Sequence, residues 1–187
     1  VIQLHQEEKQ LIMLAVENNR QAQQQIYAKF SSKMLSVCRQ YIKDIHHAED
    51  VMITGFMKVF TNLKNFEHKG SFEGWIRRIM VYECIDFLRV KKNNFNHQDI
   101  EDVTISENES VYEMEDFSVD DIQNMIDNLP DGYKMVFNLY AIEGYKHQEI
   151  AEMLKISEGT SKSQLSHARK LLQQQITDLK NKLNGTK

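Results

Sequence analysis

The stretch Lys146 to Lys170, KHQEIAEMLKISEGTSKSQLSHARK, decides the fold class of the C-terminal part, because its apolar spacing lays out two short helices separated by a tight turn. In the first, Ile150, Ala151 and Leu154 share one face, and small Ala151 sits where a second helix must cross closely at a steep angle. Ile156 plugs the turn. Ser157 then supplies an N-cap oxygen, Glu158 favours the positive end of a new helix, and Leu165, Ala168, Leu171 and Leu172 recur at three- and four-residue spacing. Outward on this second helix stand Lys162, Ser163, Gln164, Ser166, His167, Arg169 and Lys170, nearly all hydrogen-bond donors and none acidic. Such a face suits the major groove of DNA. The other reading of the same residues is a protein-binding hairpin with a solvated polar face.

Working outward, 187 residues allow one substantial core or two small ones, and a single Pro with seven Gly leaves little punctuation for strands. An all-α protein is expected. The two cysteines, Cys38 and Cys84, fall inside helical patterns, so core thiols in a reducing cytoplasm are expected rather than a disulfide framework. No apolar run reaches the length of a membrane span, Leu11 to Val16 being the longest near the N-terminus, and no leader pattern is present. The chain therefore reads as soluble and cytoplasmic, without direct membrane insertion. It begins at Val1 rather than Met, which points to a short missing N-terminal piece.

A net charge of −4 argues superficially against binding phosphates. Its distribution reverses the impression. Residues 1–98 hold 14 Lys/Arg against 10 Asp/Glu, residues 128–187 hold 9 against 6, and residues 99–127 hold 11 acids and no base. Two mildly basic blocks are thus joined by an acidic connector, read either as a passive spacer or as a segment that competes with phosphate for the basic blocks.

The N-terminal block reads as successive amphipathic helices. Leu11, Leu14 and Ala15 mark the first; Ile26, Tyr27, Phe30, Met34, Val37, Cys38 and Tyr41 mark the second. A third, from about Ala48 to Leu63, carries Ala48, Val51, Met52, Gly55, Phe56, Val59 and Phe60 as one stripe, with Glu49, Asp50, Lys58 and Asn62 off it. The polar break NFEHKG, Asn65 to Gly70, interrupts helicity, and Ser71 restarts it as an N-cap. The fourth helix, about Phe72 to Lys91, is expected to bury Trp75, Ile76, Ile79, Cys84 or Ile85, and Leu88. After the connector, Ser118 with Asp121 signals a helix running to Pro130, and Met135, Val136, Leu139 and Tyr140 make the next, ending at Glu143 and Gly144.

With both blocks in view, the chain resembles the extracytoplasmic-function (ECF) family of bacterial RNA polymerase sigma factors, which have only regions 2 and 4. The segments AEDVMITGFMKVF (Ala48 to Phe60) and SFEGWIRRIMVYECIDFLR (Ser71 to Arg89) follow the register of the family's "AEDLVQEVFLKVW" and "SFRTWLYRIARNLALDYLR". LPDGYKMVFNLYAIEGYKHQEIAEMLKISEGTSKSQLSHAR (Leu129 to Arg169) follows "LPxxxRxVFxLxxxEGxSxxEIAxxLGIxxGTVKSRLxRAR".

The resemblance implies region 2 over 1–98, an acidic linker over 99–120 and region 4 over 121–187. It implies a non-enzymatic protein that binds core RNA polymerase, directs it to promoter DNA and aids strand opening. Many members are held by an anti-sigma factor, often membrane-bound. Glu49 and Asp50 match the acidic pair that meets the polymerase, and Lys58 is assigned to the same surface. Asn65, Phe66, His68 and Lys69 match the loop that captures a flipped base of the minus-ten element, flanked by Arg77, Arg78 and Tyr82. Lys162, Ser163, Gln164, Ser166, His167, Arg169 and Lys170 match the minus-thirty-five reading surface.

Several residues depart from the pattern. Ile53 and Thr54 replace a Gln-Glu pair, Tyr82 replaces Asn, and Lys155 stands at a turn position that is usually Gly. A dimeric helix-turn-helix regulator working without polymerase is the alternative function. No catalytic residue, metal site or cofactor is expected: His46 and His47 are adjacent and point about 100° apart on a helix, and no phosphate loop or nucleophile motif occurs.

Overall fold

The computed structural model describes residues 2–94 and 117–184. Among these the chain forms α1 (Ile2–Val16), α2 (Arg20–Tyr41), α3 (Ile45–Asn62), a 3-10 turn (Leu63–Asn65), α4 (Phe72–Asn94), α5 (Val119–Asp127), α6 (Asp131–Phe137), a π-helical turn (Asn138–Ile142), α7 (His147–Leu154) and α8 (Glu158–Asn184). The fold is all-α, and the chain divides into two compact units, residues 1–90 and 91–187. Connector residues 99–116 lie outside the described residues, and with them the choice between spacer and restraint.

In the first unit, caps set the boundaries. The Asn19 side chain accepts from Ala22 N–H at 3.0 Å to start α2. Asp44 accepts from His47 N–H at 3.0 Å and starts α3 at Ile45, nearly a turn before the expected Ala48. That bond, first among its influences, holds the Asp44 carboxyl below its ordinary value. The core is built from Ile26, Phe30, Met34, Val37, Cys38 and Tyr41 of α2 and Ala48, Val51, Met52, Phe56 and Val59 of α3. Both cysteines are buried free thiols.

Three expectations of burial are corrected. Leu14 is exposed, and Ile12 with Ala15 carries the buried side of α1. Tyr27 is 37% exposed and meets Phe56 edge-on at 4.8 Å. In α4 the stripe is Phe72, Ile76, Met80, Val81, Cys84, Ile85 and Leu88, while Trp75 and Ile79 are only half-buried. Gly55 of α3 leaves the space that the Met80 thioether occupies, so Met80 packs directly against the α3 backbone there.

In the second unit Ser118 and Asp121 form a reciprocal cap. Asp121 N–H donates to Ser118 Oγ, and Ser118 N–H donates to Asp121 Oδ2, each at 3.1 Å. The Ser118 hydroxyl and amide bonds hold the Asp121 carboxyl below its ordinary value. Val136, Leu139, Ile150, Leu165 and Ala168 are buried among α6, the π turn, α7 and α8. Met153 is buried on α7, whereas Ala151 and Leu154 are half-buried. Lys155 adopts φ 56° and ψ 46° at the end of α7, the left-handed conformation that Gly tolerates best. The second helix of the pair, expected from its apolar spacing as far as Leu172, continues to Asn184 and is tied to α5 where Gln175 Nε2 donates to Met125 O at 3.3 Å.

Candidate nucleic-acid interface

Along α3, residues Asp50, Ile53 and Met57 fall on one outward face, since three- and seven-residue steps return to the same side of a helix. Ile53 is 48% and Met57 66% exposed. The Glu49 carboxylate lies 3.7 Å from His46 Nδ1, with Glu49 half-buried and Asp50 exposed. Acidic and apolar groups therefore share the face. The apolar pair was missed from sequence, where Ile53 read only as a departure from the family pattern. Lys58 lies elsewhere: its Nζ donates to Glu83 Oε1 of α4 at 2.6 Å, and the Glu83 side chain is only 9% exposed.

The NFEHKG loop leaves the 3-10 turn with the backbone in two left-handed residues, His68 at φ 58° and Gly70 at φ 91°. Ser71 Oγ accepts from Gly74 N–H at 3.0 Å and starts α4. Asn65 Nδ2 donates to Asn62 Oδ1 at 3.4 Å, and Lys69 pairs with Glu67 at 2.7 Å on the surface. The Phe66 ring faces inward, 8% exposed, between Phe72 at 5.1 Å and Trp75 at 5.5 Å, with the His68 ring 4.8 Å above it. Phe66 thus floors the loop while His68 stands at its mouth. A cavity of about 300 Å³ opens there, walled on its far side by Glu8, Lys9 and Ile12 of α1. Nothing in the loop sequence announced α1 as a wall; only the packing reveals it. On α4, Arg78 lies over the ring of Tyr82 at 5.9 Å, and Tyr82 is 37% exposed. Arg77 is half-buried beside them.

On α8 the expected reading residues separate into two groups. Lys162, Ser163, Ser166 and Arg169 are exposed, whereas Gln164, His167 and Lys170 are half-buried. Gln164 lies over Gly132, where a Cβ would come 3.3 Å from its Nε2, and His167 stacks on Tyr133 at 5.5 Å. Both therefore also brace α8 against the start of α6. Thr160 N–H donates to Ser157 Oγ at 2.9 Å, which is the expected N-cap. Lys162 Nζ pairs with Glu158 at 2.7 Å, and this partner is the main reason the Glu158 carboxyl lies below its ordinary value. Three residues not assigned to this surface from sequence also meet here: buried Ser161 meets His147 Nδ1 at 2.9 Å, and His147 stacks on Tyr140 at 4.6 Å.

The two units, one holding the helix pair α7–α8 and the other the loop at Asn65 to Gly70, each match a family of known proteins. Residues 26–94 match the family described as Sigma-70 region 2, and residues 119–172 match Sigma-70, region 4. The ECF RNA polymerase sigma factor SigW of Bacillus subtilis is 30% identical over 163 residues, covering 80% of this chain and 86% of that protein. The ECF RNA polymerase sigma-E factor of Haemophilus influenzae is 23% identical over 184 residues, covering 90% of this chain and 95% of that one. Among solved structures, the sigma factor RpoE of Bartonella quintana, in complex with the anti-sigma factor NepR, superposes with a TM-score of 0.54 at 19% identity, over 82% of this chain and 96% of that one. CnrH, in complex with the cytosolic domain of CnrY, gives 0.50 at 18% identity, over 91% and 97%; at such identities the likeness is one of fold. The class is a two-domain sigma-70 protein carrying regions 2 and 4. The chain belongs to the extracytoplasmic-function group of RNA polymerase sigma factors.

Among the described residues no helix is long and apolar enough to cross a membrane, and no group of His, Cys, Asp or Glu is placed to hold a metal ion.

Proposed function

We propose that this chain works as its family does: it binds core RNA polymerase, brings it to promoters carrying minus-thirty-five and minus-ten elements, and aids strand opening. The observation that carries this reading is the presence, in one chain and in order, of region 2 and region 4, the latter displaying Lys162, Ser163, Ser166 and Arg169 outward on the second helix of its helix-turn-helix. A dimeric regulator acting without polymerase would have no use for region 2, so no second function is advanced.

In this reading region 2 occupies 1–98, the linker 99–120 and region 4 121–187. Asp50, Glu49 and the exposed Ile53 and Met57 meet the polymerase, while Lys58 acts at one remove by holding Glu83. The loop at Asn65, Phe66, His68 and Lys69, with Arg77, Arg78 and Tyr82, receives the opened minus-ten strand: the approximately 300 Å³ cavity has room for a nucleobase, and His68 offers a ring and polar edges at its mouth. On α8, Lys162 and Arg169 supply phosphate contacts, Ser163 and Ser166 face the groove, and Gln164, His167 and Lys170 line its margin. The chain itself performs no catalysis and acts in the cytoplasm, where polymerase resides. An anti-sigma protein is its expected regulator, since the solved relatives RpoE and CnrH were each captured with a second protein, NepR and the cytosolic domain of CnrY.

The test combines the purified chain with core polymerase and a pool of randomised duplexes. Selection of fragments with two spaced elements, and a discrete transcript from them that neither component gives alone, is the expected result. Tight sequence-specific binding by the chain alone, unchanged by polymerase, would instead indicate the dimeric regulator.

A further inference from the structure

Ser161 is fully buried within α8, facing away from the DNA-reading side, at the position where the family pattern quoted above has Val. A hydroxyl in such a place is costly unless it finds a partner. It shares a 2.9 Å hydrogen bond with Nδ1 of His147, the first residue of α7, across the turn of the helix pair. The His147 ring is itself held: it stacks at 4.6 Å and 23° on Tyr140. Tyr140 lies in the π-helical turn Asn138–Ile142, a wider turn that departs from the α-helical path of α6. The other end of the chain of contacts returns to α8, because the guanidinium of Arg169 lies 5.7 Å from the Tyr140 ring. Side chains from α7 and the π turn therefore grip α8 at Ser161 and again at Arg169, about 12 Å further along at 1.5 Å per residue. Between the two grips lie Lys162, Ser163 and Ser166, the exposed residues of the reading face.

We infer that His147 is a positioning residue for minus-thirty-five recognition: through Ser161 and Tyr140 it fixes the roll and tilt of α8 so that the face between them meets base edges. Base readout depends on placement to a fraction of an ångström, whereas attraction to phosphates is long-ranged and tolerant. Loss of the grip should therefore damage discrimination more than general affinity for DNA. This rests on the proposed sigma function, and the test keeps the two separate.

The experiment uses holoenzyme assembled from the full chain and core polymerase, a promoter fragment selected by the wild-type holoenzyme, and the same fragment scrambled in its minus-thirty-five element. Failure of the wild type to select any fragment would overturn the functional reading itself. With selection in hand, His147→Ala is expected to weaken binding to the matched fragment about tenfold, the order of one misplaced base contact, and to leave the scrambled fragment within about twofold. His147→Asn, whose side-chain amide can approach the position of Nδ1, should restore most of the loss. In His147→Ala with Ser161→Val no buried hydroxyl remains to be satisfied, so folding is retained, checked by thermal unfolding, while discrimination stays below wild type. An undiminished matched-to-scrambled ratio in His147→Ala, no recovery with Asn, or full recovery in the double variant would each overturn the inference, the last by showing that His147 serves stability alone.

Discussion

The ammonium of Lys162 lies 2.7 Å from the carboxylate of Glu158, one turn earlier on the same helix, so a cation proposed to meet DNA phosphate already has an anionic neighbour. Both side chains are more than half exposed, and a surface pair of this kind is weak enough to exchange partners. Glu158→Gln should therefore strengthen binding to matched and scrambled fragments alike at low salt, with the gain fading as ionic strength rises. Lys162→Ala should weaken both and lower the slope of log affinity against log salt by about one. Titrations of the two variants across salt concentrations check this, and a Lys162→Ala effect confined to one base pair would contradict the phosphate role.

Asp50 stands exposed on the face of α3 that also carries Ile53 and Met57. Reversal to Lys should lower affinity for core polymerase roughly tenfold, as expected for a charge moved from complementary to repulsive. Helical content by circular dichroism should not change, because Asp50 is exposed. Equal affinity in a polymerase titration would remove Asp50 from the contact.

If the loop cavity receives the opened minus-ten strand, as proposed, its loss should affect strand opening and closed-complex binding differently. His68→Ala should reduce strand opening, followed by permanganate reactivity of unpaired thymines, more than it reduces closed-complex binding, and a template already unpaired across the minus-ten element should be affected at least as strongly at the capture step. Phe66 is a poor site for the same test: truncating its buried ring would cost about 3–5 kcal/mol of stability and confound the result. If His68→Ala changes neither opening nor capture, His68 is no part of the base site.

Lys155 is a non-glycine residue in left-handed backbone at the end of α7. Replacing it by Gly removes the Cβ crowding and should stabilise the second unit by about 1 kcal/mol. Denaturant unfolding should show a raised midpoint with an unchanged slope. A lowered midpoint would mean that the Lys155 side chain contributes more than its backbone conformation costs.

The helix pair was legible in sequence because its signals are local. Ser157, Ser118 and Ser71 each cap the helix that follows them, and caps depend on residues only three positions apart. Residue registers that depend on distant partners were not legible. Trp75 and Ile79 satisfy a helical stripe as well as Met80 and Val81 do, and the choice between them depends on packing against distant elements, such as the space beside Gly55 that Met80 fills. The same holds for the candidate site. Residue types on the outward side of α8 were readable, but not that Gln164 and His167 would lean on Gly132 and Tyr133, nor that α1 would wall the loop cavity. Ser161 gave no warning because a small polar residue on a helix is ordinarily solvated, and its burial follows from the crossing of α7 and α8.

The 27 residues of α8 run unbroken from the turn of the helix pair to Asn184, roughly 40 Å at 1.5 Å per residue. The end proposed to enter the groove and the end packed against α5 are thus opposite ends of one continuous helix. A shift imposed on the distal half, for example at the Gln175 bond to Met125, would reach Lys162 and Ser163 as a change of angle to the extent that the helix stays straight.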